Sequence, residues 1–488
     1  MRFISTRGGE IDILSAQATI NGIASDGGLY VPKSFPNLYR KIKDELNISY
    51  EKLALEIIKE YFTDFTENEL KQAISNAYKD RFKVVERNNF LELYHGPTSA
   101  FKDAALLFLP QIMSLAKKKL NVDEEIIILA ATSGDTGKAA LEGFKNVGGF
   151  KVIVYYPKEG VSPIQEMQMI TQEGNNVRVV RIKGNFDDAQ RGVKELFGDN
   201  GFKEELSKKN YILSSANSIN IGRLIPQIVY YFYGYQQLVN KQKIKQGDKI
   251  NIVVPTGNFG NILAAYYARE MGLPIAKFIC ASNENNVLSD FFRDGVYDKR
   301  RELILTESPS MDILVSSNLE RLLFEASGRD YNEIKNLMEE LNSNGIYTIN
   351  EKLKDNLKDF YGNYASSDEV CEAINNLYNK EGYLIDTHTA VAYVVLNKYV
   401  SDTKDKTPYL IVSTASPYKF PRSIANSLGL EIEECDDFKV IDKIYDYSKV
   451  DVPNNLEGLD KKEIIHKYSS EINELKATLL NFLGVNND

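Results

Sequence analysis

The sequence predicts an α/β protein with doubly wound, largely parallel sheets and a small, mostly helical N-terminal domain. Three observations predict this class. Six short runs, Ile126 to Ala131, Lys151 to Tyr156, Val177 to Ile182, Tyr211 to Ser214, Ile250 to Val254 and Ile275 to Ala281, are apolar or β-branched without polar alternation, and helical patterns separate most of them. Strands buried on both faces read this way, and burying both faces requires crossover helices over a parallel sheet. Before residue 90 the pattern is instead mostly helical, and the 488 residues are too many for one compact core.

Residues 1–90 open with a strand-like piece, Met1 to Ile4, and a turn-rich stretch from Asn21 to Pro32. Apolar residues at helical spacing then predict helices over Tyr50 to Tyr61 and Glu67 to Lys79, with Thr66 as the N-cap of the second. Residues 91–283 form the α/β core. Within it a helix should run from Asp103 to Lys119, and Pro110 inside that span predicts a kink or an early break. Residues 284–382 are more polar and helical and read as an insertion. Residues 383–436, with Tyr383 to Val400 and Tyr409 to Ser413, return to the style of the core, and 437–488 form a charged tail ending in an amphipathic helix near Lys461 to Leu483.

Composition excludes several function classes. With 43% hydrophobic and 26% charged residues and no apolar run long enough for a bilayer, the chain reads as a globular protein with no membrane partner. Its net charge of −9, with lysines and acids interspersed, leaves no basic stripe for nucleic acid. Cys280, Cys371 and Cys435 lie far apart, and neither they nor the three histidines show ligand spacing, so no metal site is predicted. The first residues lack a secretory pattern, which makes a cytoplasmic location the expectation.

Chemistry concentrates at strand ends. In His95-Gly96-Pro97-Thr98-Ser99-Ala100-Phe101-Lys102-Asp103 one lysine lies between a Gly/Pro turn and an apolar helix. An ammonium there pays a desolvation cost, which suits a reactive amine; a lysine snorkelling from a helix start fits the same residues. Thr132-Ser133-Gly134-Asp135-Thr136-Gly137 follows a strand and opens a helix, an arrangement that suits an anion and also an ordinary βα turn. Pro255-Thr256-Gly257-Asn258-Phe259-Gly260-Asn261 has the same placement, and its two glycines let the backbone approach a phosphate closely. It matches neither dinucleotide nor P-loop patterns, so a cofactor monophosphate fits better. Ser214 to Arg223 and Ser413 to Phe420 add hydroxyls, amides, Arg223 and Lys419; a lone arginine is also the usual partner of a structural ion pair. A lysine that binds pyridoxal phosphate needs this set of parts: an amine for the aldehyde, a phosphate cup, and donors for the substrate's own anions.

In chain order, "HGPTSAFKD", "ATSGDTG", "SSANSINIGR" and "VPTGNFGNILA", together with the opening "STRG" and "NGIASDGGLYVP", resemble the threonine synthases, pyridoxal-phosphate enzymes of the tryptophan-synthase-β fold type. The resemblance covers most of the chain and is weakest in 284–382 and the tail. It implies that Lys102 is the Schiff-base lysine and that Gly257, Asn258, Phe259, Gly260 and Asn261 hold the cofactor phosphate. It places Asp135 at the pyridine 3-oxygen and Thr414 at the ring nitrogen. Ser133, Thr136, Asn217, Ser218 and Arg223, with Lys419 adding charge, fall where the substrate's carboxylate and phosphate bind. Ser416 departs from the family, which often has histidine there. The implied reaction converts O-phospho-L-homoserine and water into L-threonine and phosphate, in a monomer or homodimer. A related pyridoxal-phosphate lyase or dehydratase would keep Lys102 and the phosphate loop; a non-catalytic homologue would be expected to lose the lysine.

Overall fold

The computed structural model describes residues 1–43, 45, 47–132, 134–158 and 161–485. The N-terminal region begins with a small antiparallel sheet in the order β2 (Ile13–Leu14), β1 (Arg2–Ser5), β3 (Tyr30–Pro32). Helices Tyr50–Tyr61 and Glu67–Tyr78 follow, with bounds within a residue of those predicted. Thr66 does cap the second: its hydroxyl accepts from the amide of Glu69, whose carboxylate accepts from the Thr66 amide, closing a capping box. The buried faces of both helices join the largest hydrophobic cluster of the molecule, which fastens this region to the core.

Two sheets carry the rest. One contains, after the edge strand β4 (Lys83–Arg87), the strands β5 (Phe90–His95), β10 (Ile250–Pro255), β11 (Ile275–Ser282), β14 (Phe360–Tyr364) and β15 (Tyr409–Ser413), in the order β14-β11-β10-β15-β5-β4. The other contains β6 (Glu125–Ala131), β7 (Phe150–Pro157), β8 (Val177–Ile182), β9 (Tyr211–Ser214) and β16 (Tyr468–Ser470), in the order β16-β8-β7-β6-β9. Every pairing in these two sheets is parallel except β4 with β5. β10 is buried along its whole length, as the continuous apolar run requires. A two-stranded ribbon, β12 (Val296–Asp298) with β13 (Ile346–Thr348), stands apart.

One local outcome refines the sequence pattern and two differ from it. The early break expected around Pro110 falls just before it: one short helix covers Asp103–Leu106, and a second, Leu109–Lys119, takes Pro110 in its first turn, where a missing N–H leaves no bond unmade. The tail helix is confined to Leu475–Leu483, because Tyr468–Ser470 extends to pair with Val180–Ile182. Within 284–382, Phe360–Tyr364 adds to the core sheet beside β11, so this region supplies an edge strand as well as helices.

Candidate active site

Parallel strands direct their carboxyl ends one way, and here the loops after β5, β6, β9, β10 and β15 converge. The central contact joins the two sheets: Lys102, from the loop after β5, places Nζ 3.5 Å from Oδ2 of Asp135, the first helical residue after β6. Lys102 is largely buried, and desolvation lowers its amine below the usual lysine value against the opposing pull of Asp135. Nζ also donates to Ser310 Oγ at 3.4 Å.

Asp135 is crowded by donors. Its Oδ1 faces Lys419 Nζ at 2.5 Å and accepts from Gln165 Nε2 at 2.8 Å. Burial alone would raise this carboxyl, but Lys419 and Lys102 hold it well below the ordinary range. Lys419 is fully buried and also donates to the Thr98 carbonyl at 3.0 Å, so its charge is engaged within the protein. Asp103 accepts from the Thr98 amide and hydroxyl at 2.9 and 2.6 Å, yet burial pushes its carboxyl up to about 6.

The loop after β10 forms a cup. Phe259 adopts φ +64° just before the helix Gly260–Glu270, a left-handed conformation held by packing of its ring against Phe292 and Phe360. No side chain caps that helix, so its first-turn amides are left for a ligand. The space is shaped by absent side chains: a Cβ on Gly257 would meet the Ser310 carbonyl at 2.9 Å. Asn261 turns its Oδ1 to the hydroxyls of Tyr230 and Tyr231 and keeps a buried Nδ2 without a partner. Asn258 and Ser218, on different loops, are joined by Asn318, whose Nδ2 donates to the Asn258 carbonyl at 2.9 Å and to Ser218 Oγ at 3.5 Å.

Arg223 stands out electrically. It is buried, its Nη1 donates to the Ala216 carbonyl at 2.6 Å, and its Nε has no partner. No carboxylate lies within 4 Å of it among the described residues, and burial brings its guanidinium down to about 10. A buried cation without a counter-ion is costly, and an anionic ligand would relieve that cost.

Thr414 is buried beside the Lys102 loop, its carbonyl accepting from the Phe101 amide at 2.8 Å. Ser416 uses its hydroxyl to accept from the Tyr418 amide. Thr136 is half-buried on the first turn after β6, Asn217 is exposed, and Ser133 lies outside the described residues. Sequence reasoning missed Gln165, Ser310 and Asn318 and, though it set His388 near these loops, assigned it no role; the four come from helices and an irregular segment, and no strand-end motif marks them.

Three family models match the chain: "Threonine synthase N terminus" over residues 2–78, "Pyridoxal-phosphate dependent enzyme" over 90–415, and "Threonine synthase, C-terminal" over 389–477. Human "Threonine synthase-like 1" is 41% identical over 86% of this chain, which spans only 58% of that relative's length. "Threonine synthase" of Saccharomyces cerevisiae is 36% identical, with 85% of this chain and 86% of the relative covered. Among solved structures, the crystal structure of pyridoxal-phosphate-bound threonine synthase from Brucella melitensis superposes with a TM-score of 0.88 at 34% identity over the full length of both chains. The residues present suit that cofactor: a desolvated amine at Lys102, an uncapped glycine-framed helix start at Gly257 to Gly260, and a buried amide of Asn261 in want of a partner. Family models over most of the chain, relatives at 36% identity or more and a full-length structural match agree, and the chain belongs to the threonine synthase family of pyridoxal-phosphate dependent enzymes.

Proposed function

We propose that this chain converts O-phospho-L-homoserine and water into L-threonine and phosphate. The observation that carries the reading is Arg223, a buried guanidinium without a counter-ion among the described residues and close enough to Lys102 to depress its amine. A site with one desolvated amine and one unpaired buried cation suits a substrate that offers both an amino group and a phosphate.

Pyridoxal phosphate, when bound, supplies the electron sink for charge developing at the substrate's Cα. Lys102 holds the cofactor, and its amine carries protons between Cα and Cβ, a task that suits a lysine lowered by burial. The backbone from Gly257 to Gly260, with Asn258, Phe259 and Asn261, holds the cofactor phosphate. Asp135 would stand on the pyridine 3-oxygen side and Thr414 at the ring nitrogen. Arg223 binds the substrate's phosphate; Ser133, Thr136, Asn217 and Ser218 hold its remaining anionic groups. Lys419 acts through Asp135, which it keeps charged. We place the reaction in the cytoplasm, in keeping with three unpaired cysteines; no described helix is long and apolar enough to cross a membrane.

Incubation of the purified chain with phosphohomoserine tests this directly. Phosphate and threonine should appear in equal amounts, with both lost in Lys102→Ala. A ketoacid in place of threonine would assign the site to a lyase.

A further inference from the structure

We propose that Ser310 is a catalytic hydroxyl that holds the amine of Lys102 whenever that amine is free, and that His388 and Asp386 are positioning residues that fix Ser310 there. The inference rests on the role given to Lys102 above and adds three residues from outside the strand-end motifs.

Lys102 Nζ makes two hydrogen bonds among the described residues, to Asp135 Oδ2 at 3.5 Å and to Ser310 Oγ at 3.4 Å. A lysine side chain has four rotatable bonds, and a single contact would not fix its amine. The two partners also differ in kind. A carboxylate only accepts and so favours the ammonium, whereas a hydroxyl donates to a neutral amine as readily as it accepts from a charged one. An amine that must give and take a proton needs the second kind of partner.

Ser310 lies in a single helical turn, Pro309–Met311, within an otherwise irregular segment, so local structure does not set its position. Two outside contacts do. On one side Asp312 Oδ1 accepts from Asn283 Nδ2 at 2.7 Å and from Thr306 Oγ1 at 2.8 Å, anchoring the turn to the end of β11. On the other, the Ser310 amide donates to His388 Nε2 at 3.2 Å. That bond requires a lone pair on Nε2, so the ring proton sits on Nδ1, which faces Asp386 Oδ1 at 3.0 Å. Asp386 is fully buried and caps the helix Thr387–Thr403, its Oδ1 accepting from the His388 amide at 2.9 Å. The imidazole therefore stands on the first turn of a long buried helix, against the ring of Phe420. A histidine kept only for packing would not need its tautomer set by a carboxylate and spent on a loop amide.

The charged groups facing Lys102 are Asp135, Lys419 and Arg223; those facing His388 are Asp386 and Asp312. Removing the Ser310 hydroxyl leaves Asp135 as the one hydrogen-bond partner of the amine among the described residues, which favours the ammonium and moves the acid limb of the kcat profile to higher pH.

Ser310→Ala, His388→Leu and His388→Gln test the proposal in the full chain. Gln places an acceptor near the position of Nε2; Leu does not. The first readout is the rate at which pyridoxal phosphate, added back to stripped protein, regenerates visible absorbance; the second is kcat, KM and the pH dependence of kcat. S310A and H388L should slow both rates by about tenfold or more, with KM within about twofold, and H388Q should recover most of the loss. Wild-type uptake and an unmoved pH profile in S310A would overturn the proposal, as would equal loss in H388Q and H388L beside a normal S310A. If H388L fails to fold, S310A alone decides, since it removes one oxygen. A wild-type chain that never develops visible absorbance would instead overturn the role of Lys102.

Discussion

Lys419 Nζ stands 2.5 Å from Oδ1 of Asp135, and both side chains are buried. The carboxylate is thereby held charged between two lysines, with its second oxygen toward Lys102.

Lys419→Met should therefore cost up to about 3–5 kcal/mol at neutral pH, because it breaks the shorter buried pair and leaves Asp135 only the longer contact with Lys102. The sign of the pH dependence follows from the depressed carboxyl. Its stabilisation is present above the unfolded value and is lost as pH falls through the folded one. The deficit of the variant should narrow as pH drops below about 4. Chemical denaturation at several pH values measures it, and a deficit constant with pH would show that the carboxylate is not its source.

Asp103 moves the other way. Burial raises its carboxyl to about 6, so between the unfolded value near 4 and that value the folded state binds more protons, and stability falls as pH rises through this window. Asp103→Asn removes the titration while keeping an acceptor for Thr98. It should be more stable relative to wild type at pH 8 than at pH 5, by roughly 1.4 kcal/mol. Equal differences at the two pH values would mean that another group titrates.

The strands were legible where apolar and β-branched residues run together: Val177–Ile182, Tyr211–Ser214 and Tyr409–Ser413 have the predicted bounds. The loops after them were legible because glycine, hydroxyl and cation types crowd there for chemical reasons. Ser310 and Asn318 were not, since each is one polar residue in a segment without periodicity, and its meaning lies in contacts hundreds of residues or a whole sheet away. Gln165 sits within an amphipathic helix, where a buried amide looks like any polar position. The engagement of Lys419 by Asp135 was hidden for a related reason: spacing brings a charge to the site but does not say which opposite charge claims it.

Arg223→Met separates substrate binding from stability. A buried guanidinium with no carboxylate partner among the described residues contributes little to folding, so its apolar replacement should leave stability within about 1 kcal/mol of wild type. The same change removes charge-assisted bonds worth about 1.5–3 kcal/mol each, so kcat/KM for phosphohomoserine should fall at least tenfold to a hundredfold. Cofactor affinity should change far less. Equal losses of cofactor and substrate binding would place Arg223 on the cofactor side of the site.

Asn455, from the tail, pins the loop that carries Lys102. Its Nδ2 donates to the Pro97 carbonyl at 2.7 Å and its Oδ1 accepts from Ser99 Oγ at 2.8 Å. Ser99 has φ +56°, a left-handed conformation that a residue with a Cβ adopts at a cost of roughly 1–2 kcal/mol. Its carbonyl meanwhile accepts from the Ser416 amide at 3.1 Å, so the strained residue is gripped from both the tail and the end of β15. Asn455→Ala removes one grip and keeps the other. The global unfolding transition should barely move, because most of the core lies elsewhere. Amide exchange over 97–103 should accelerate by about tenfold to a hundredfold, the equivalent of two lost hydrogen bonds at about 0.5–1.5 kcal/mol each, with a parallel fall in kcat as Lys102 loses its fixed position. Unchanged exchange in that loop would assign Asn455 to the tail's own packing and leave Ser416 as the grip that matters.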